Sequence, residues 1–146
     1  MKEFFAEIDE TIQKQRDTER QKRARAISEA DGFAVIAERL GPVLADYEAE
    51  LKTRNVVVRT TVGSTALSME LKFKSGDTTT LMLIANPLSG RFSFETHHPA
   101  DDKGKRYKSV DGSSFDTSTW SDAEFVRRLE GFIKDFFFYA DRHQGF

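Results

Sequence analysis

The stretch ALSMELKFK, residues 66 to 74, decides the fold because its side chains alternate strictly between apolar and polar. A period of two is typical of a β-strand that buries one face and exposes the other to water. The side chains expected on the buried face are Leu67, Met69, Leu71 and Phe73. The side chains expected in water are Ser68, Glu70, Lys72 and Lys74.

Further strands lie on both sides of this stretch, and short connections join them. Residues 55 to 62 alternate in the same way, and residues 91 to 96 place two phenylalanines on one face. Residues 106 to 110 would add a short fifth strand at an edge. The connections are too short for helical crossovers, so residues 55–96 are predicted to form an antiparallel meander.

The third strand of this meander has a different pattern. It follows the turn Ser75-Gly76-Asp77 and reads TTLMLIA over residues 79 to 85, which is apolar on both faces. Such a run indicates a central strand, and we expect something to cover part of its second face as well. Residues 97–120 are rich in small polar residues and are assigned chiefly to a loop.

Two helical segments precede the strands. Residues 3–30 form a polar helix that could project, since QKQRDTERQKR (13–23) holds no apolar residue and Phe5, Ile8 and Ile12 make only a narrow stripe. Residues 33–54 are also helical. Asp31-Gly32 is expected to break the chain between the two segments, with Asp31 as an N-cap. Gly41-Pro42 predicts either a stop and restart or a kink.

A C-terminal helix is predicted over residues 121–142, opened by a capping box of Ser121 and Glu124. On a helical wheel, one sector of about 100° holds the side chains that should cover the sheet. These side chains are Phe125, Leu129, Phe132, Ile133, Phe136 and Ala140. Together these patterns predict a single α+β domain over residues 1–146, with helices on one face of the sheet.

Phe138 falls outside that sector, on the side that carries Arg127 and Lys134. It is either a single exposed ring, or a ring covered by the N-terminal helix or the 97–120 loop, or an anchor for a second chain. The last alternative predicts a partner-binding surface formed by Phe138, Arg127 and Lys134. Its occupant would be another protein or a second copy of the chain in a homodimer.

Composition narrows the class of protein. The chain has no cysteine and a net charge of −2, which excludes disulfides and thiol catalysis and gives no general indication of nucleic-acid binding. The start MKEFFAEIDE is acidic and does not resemble a signal peptide, and no window is apolar enough to cross a membrane. We therefore expect a soluble cytoplasmic protein with no membrane partner.

No catalytic motif is evident. HHPADD contains His97, His98 and Asp101, but adjacent strand residues point to opposite faces and so are poorly placed to share a metal ion. There is no GxSxG elbow, Walker loop or GxGxxG motif. The expectation is a non-enzyme without metal or cofactor, and an enzyme built on these three residues ranks last.

Two basic stretches are the basis for an alternative function. Residues 14–25 carry six basic and two acidic side chains, a balance of +4, and KGKRYK (103–108) is the second stretch. Together they could follow a phosphate backbone. The residues expected to contact nucleic acid are Arg16, Arg20, Arg23, Lys105, Arg106 and Tyr107. The first prediction remains a small interaction protein, such as an adaptor, a chaperone-like subunit or an inhibitor.

Overall fold

In the computed structural model, which describes residues 1–146, two helices lie across one face of a five-stranded antiparallel sheet. The helices are α1 (Lys2–Thr53) and α2 (Asp122–Phe138), and a short 3-10 helix follows at Ala140–His143. The strands are β1 (Val57–Val62), β2 (Ala66–Lys72), β3 (Thr78–Ala85), β4 (Phe92–His97) and β5 (Lys108–Val110). The predicted α+β class is confirmed, and the strands pair in chain order as the meander requires.

The register of β2 sets the inner face of the sheet. Met69 pairs with Thr60 of β1 and with Leu81 of β3, so these three side chains project to the same side. The alternation predicted for residues 66–74 is confirmed, because the four inward side chains are all buried and belong to one core. Residues 33–51 of α1 and the inner stripe of α2 complete that core.

The outer face of β3 is covered less than its sequence suggested. Burial alternates along the strand, and Met82 and Ile84 on the outer side are only half-buried. Both helices contribute to the core on the inner side, so no helix covers these two residues. Short neighbours flank them in the register, with Ser68 beside Met82 and Ser93 beside Ile84.

The break predicted at Asp31-Gly32 and the stop and restart predicted at Gly41-Pro42 are wrong, because α1 is continuous from Lys2 to Thr53. The alternative of a kink at Gly41-Pro42 stays a prediction. Gly32 is needed for packing: a Cβ there would lie 2.3 Å from Cγ2 of Thr117. Pro42 lies inside the helix, where it removes one backbone hydrogen bond. Phe33 and Leu44 are both buried in the core, so packing on either side of Gly41-Pro42 offsets that cost.

The C-terminal helix begins where it was predicted but ends earlier and is capped differently. Its α-helical part stops at Phe138. Ser121 is the N-cap residue, yet its side chain makes no capping hydrogen bond. The predicted capping box is therefore wrong, since the Glu124 carboxylate accepts hydrogen bonds from Arg127 and Arg128. The wheel is confirmed, because Phe125, Leu129, Phe132, Phe136 and Ala140 are buried and Ile133 packs against the core.

A guanidinium–carboxylate pair joins the two helices at one end of the sheet. Arg39 Nε and Nη2 donate to the Asp122 carboxylate at 2.6 and 2.8 Å. These bonds from Arg39 are the main cause of the lowered pKa of Asp122, which also accepts from Trp120 Nε1 at 2.9 Å. Both helices run from this end toward the β2–β3 turn, so they cross the sheet in the same direction.

Candidate protein interface on the projecting helix

Residues 1–25, Met1 and the N-terminal part of α1, form an arm that leaves the domain. Every side chain from Met1 to Arg25 is exposed, and Ala26 is the first half-buried residue of the helix. At a rise of 1.5 Å per residue the arm is about 37 Å long. No other part of the chain shields it from water.

The arm leaves the domain beside the β3–β4 turn, where the chain anchors the helix closely. Gly90 approaches so near that a Cβ on it would lie 2.9 Å from the Ala26 carbonyl oxygen. The Thr117 backbone N–H donates to the Glu29 carboxylate at 2.9 Å, and the Thr117 hydroxyl donates to it at 3.2 Å. Because these contacts fix residues 26–32, the direction of the arm is set by the folded domain.

One side of the arm carries an uncovered apolar stripe of Phe4, Phe5, Ile8 and Ile12. Helical geometry places all four within a sector of about 100°. Their exposed fractions are 58%, 55%, 40% and 40%, respectively. The rings of Phe4 and Phe5 meet edge to face at 5.2 Å between centroids. A contiguous apolar patch with polar surroundings is typical of an interaction site.

Few contacts within the arm support its helix. The Gln13 side chain donates to Asp17 at 3.0 Å, and the Thr11 and Thr18 hydroxyls donate to carbonyls one turn back. No ion pair forms among the charged side chains of the arm. Helices without tertiary packing are only marginally stable in water. Docking against another molecule would therefore stabilise the arm.

The two basic stretches lie at opposite ends of the molecule. Arg16, Arg20 and Arg23 share a face of the arm, which emerges beside the β3–β4 turn. Residues 103–108 belong to the β4–β5 connection at the other end of the sheet. From Arg20 to its end at Thr53, α1 rises about 50 Å along this direction. The structure does not join the two stretches into one continuous surface.

The residues of the second stretch are engaged in their own loop. Arg106 pairs with Asp77 at 3.2 Å, and the Lys105 ammonium lies 5.4 Å from the centroid of the Tyr107 ring. The Tyr107 hydroxyl donates to Asp101 at 3.0 Å. The pKa of Asp101 is lowered chiefly by the backbone N–H of Lys105 and also by this hydroxyl. These bonds order the loop.

The outer stripe of α2 presents the three residues predicted to bind a partner. Phe138 is 77% exposed, as the wheel predicted, and its ring meets only the neighbouring Tyr139 ring at 4.9 Å. Arg127, Lys134 and Phe138 follow one another at i, i+7 and i+11, so they share a face. Arg127 is held by Glu124 at 2.6 Å. This surface presents one exposed apolar ring among its three residues, whereas the stripe on the arm presents four apolar side chains.

A cavity of about 610 Å³ opens between α2 and residues 98–102, and His98 and His143 line it. The side chains of His97 and His98 point apart, as predicted. His97 Nε2 lies 3.2 Å from a Glu95 carboxylate oxygen, and His98 Nε2 lies 2.6 Å from the Ser109 hydroxyl oxygen. No group of three histidines, cysteines or acids is close enough to hold a metal ion. His98 and Asp101 both line this cavity, but His97 does not, so the structure does not bring all three residues into one site.

A comparison of the chain with known protein families, characterised proteins and solved structures finds no match. None of its helices combines the length and the apolar character required to cross a membrane. Function is therefore inferred from the surfaces of this chain.

Proposed function

We propose that this chain is a small non-enzymatic interaction protein whose arm docks against another polypeptide. The adaptor, chaperone-like subunit and inhibitor classes all fit such a role, and the proposal retains the expected cytoplasmic location. The observation that carries it is the apolar stripe of the arm. Its centre near Ile8 lies about 27 Å beyond Ala26, and the domain packs its core without it.

The energetics favour a protein as the docked molecule. Burying one Phe or Ile side chain contributes about 1.5–3 kcal/mol, and the stripe offers four of them, each already partly shielded. Ordering and association offset part of this gain. An amphipathic helix in an apolar groove, or against a second helix, is a recurring mode of recognition between proteins.

A capture experiment with the full chain tests the proposal. The variant Ile8→Gln/Ile12→Gln removes the centre of the stripe, and glutamine is the better helix former, so lost binding would not reflect a lost helix. Ala6→Gln on the opposite side of the arm is the matched control. We expect a nuclease-resistant protein partner that wild type and control retain and the stripe variant loses. Equal capture by all three chains would contradict the proposal.

Nucleic-acid binding is a second candidate function, favoured by Arg16, Arg20 and Arg23, which share an exposed face and form no ion pair. If it is correct, affinity for a labelled oligonucleotide must fall steeply with salt because condensed counterions are released. Three phosphate contacts on a duplex would give a log–log slope of about −2.7. A fluorescence anisotropy titration measures the slope, and no binding at low salt would remove this candidate.

The outer stripe of α2 is proposed as a second, smaller contact centred on Phe138. Phe138→Ser should leave the melting temperature of dilute protein nearly unchanged because the ring is 77% exposed. It should weaken association about tenfold, the equivalent of about 1.4 kcal/mol, if the ring is buried in a contact. Sedimentation of both chains over a concentration series checks this. Unfolding of the variant would show that Phe138 supports the fold, and identical association of both chains would place the contact elsewhere.

A further inference from the structure

We infer that the molecule docked on the arm is a second copy of this chain, with the two arms paired side by side and antiparallel. This inference rests on the proposed function and names the partner. Its basis is the uneven distribution of charge along an arm whose side chains are all exposed.

The arm has an acidic half and a basic half. Residues 2–12 hold one lysine against four acids, a balance of −3, and residues 13–25 hold six basic side chains against two acids, a balance of +4. Antiparallel pairing places the acidic half of each arm beside the basic half of the other. Parallel pairing would place like charges together, which is destabilising. The charge pattern therefore selects one orientation.

The charged side chains along one edge of the apolar stripe are also complementary in an antiparallel pair. Helical geometry places Asp9, Arg16 and Arg20 within a sector of about 40° on the same side of the stripe. In an antiparallel pair the two-fold axis is perpendicular to the plane that contains both helices. The same flank of each helix therefore lies on the same side of the pair, and equivalent flanks are neighbours. Asp9 of one arm would then lie near Arg16 and Arg20 of the partner when the axis passes near residue 13. Interhelical ion pairs at flanking positions determine orientation in this way in coiled coils.

The apolar residues fit the same arrangement. Ile12 would lie close to its own copy near the axis, and Phe5 and Ile8 would lie along the aliphatic stems of basic residues in the partner. Arginine stems cover apolar surface while their charged ends remain in water. Such a contact is isologous, so it closes at two chains. Each arm would cover the exposed stripe of the other.

Sedimentation equilibrium of the full chain at low salt is the first test. We expect a monomer–dimer equilibrium that weakens as salt rises. Arg16→Glu/Arg20→Glu should weaken the dimer at least tenfold, and so should Asp9→Lys. Mixing these two variants should restore association, since their arms are then complementary. Lys14→Glu/Arg25→Glu, the control, makes the same change in net charge away from the stripe and should have a smaller effect.

The orientation is tested by a distance between spin labels, which the absence of native cysteine makes straightforward. A label on Glu3→Cys should lie about 30 Å from its copy in an antiparallel dimer centred near residue 13. A parallel dimer would place the two labels about 10 Å apart. The short distance would overturn the inference.

Failure of this inference can be told apart from failure of the proposed function. A chain that stays monomeric at every concentration overturns self-pairing. If that monomer still captures a different protein through Ile8 and Ile12, the proposed function stands and the inference alone falls. A dimer that is unaffected by both the charge reversals and salt would also overturn the charge-based pairing.

Discussion

Replacing Leu71 with alanine is expected to lower the free energy of unfolding by about 2–5 kcal/mol. Leu71 is fully buried near the C-terminal end of β2, between Val58 of β1 and Thr79 of β3. Truncation there removes apolar contacts and leaves a cavity that a sheet held on both sides cannot readily close. Urea denaturation monitored by circular dichroism measures the loss.

Leu88→Ala is the matched control because it makes the same chemical change at a residue that is 88% exposed. Its effect should stay within about 0.5 kcal/mol. A loss below about 1 kcal/mol for Leu71→Ala, in a variant with an unchanged denaturant slope, would mean that the inner face of the sheet is misassigned.

Gly90→Ala is expected to be the second most damaging substitution, with a loss of about 2–5 kcal/mol from backbone strain together with steric overlap. Gly90 has a φ of +73°, which L-residues other than glycine adopt at a cost. A Cβ there would also lie 2.6 Å from the Glu29 Cβ and 2.9 Å from the Ala26 carbonyl oxygen. The change should therefore loosen the base of the arm as well as the β3–β4 turn.

Gly104→Ala separates the two causes. Gly104 has a φ of +78°, but nothing lies within 4 Å of a Cβ built on it. Gly104→Ala should therefore lower the free energy of unfolding by the backbone strain alone, about 1–2 kcal/mol. The difference between the two variants, measured by chemical denaturation, reports the contact between α1 and the turn. Equal losses would show that residues 26–29 do not pack on Gly90 in solution.

Local patterns in the sequence were sufficient for most of the fold. The alternation of Leu67, Met69 and Leu71 determines the buried face of β2, and the wheel of the last helix separates Phe136 from Phe138. The continuity of α1 could not be predicted in this way. Gly32 has the signature of a break, yet it lies inside the helix and packs closely on Thr117, a contact between distant parts of the chain that local patterns do not show.

The candidate interface could be predicted only in part. The stripe of Phe5, Ile8 and Ile12 is visible in the sequence, but a stripe of this kind could equally well pack on the sheet of its own chain. Its exposure follows from the path of α1, which crosses the sheet with residues 33–51 and then extends beyond it. The distance between the two basic stretches also follows from the path of α1 across the sheet, so local sequence patterns could not predict it.

The capping of α2 was missed for a different reason. Ser121 and Glu124 have the spacing of a capping box, but Arg127 and Arg128 compete for the same carboxylate. Arg127 donates through both Nε and Nη2 to the two Glu124 oxygens, and such a bidentate pair adds energy and geometric specificity that a single bond to a backbone N–H lacks. Competition of this kind depends on rotamers, which sequence spacing does not specify.

The central claim is that the arm does not pack on its own domain and pairs with the arm of a second chain. Amide hydrogen exchange of the full chain, measured over a range of protein concentrations, tests this claim most directly. In dilute protein, amides of residues 5–25 should exchange much faster than those of residues 36–51, because the arm has no tertiary packing to stabilise its helical hydrogen bonds. Protection of the arm should then increase with concentration as arms pair. Slow exchange throughout residues 5–51 in dilute, monomeric protein would contradict the account, because the arm would then be packed against its own domain.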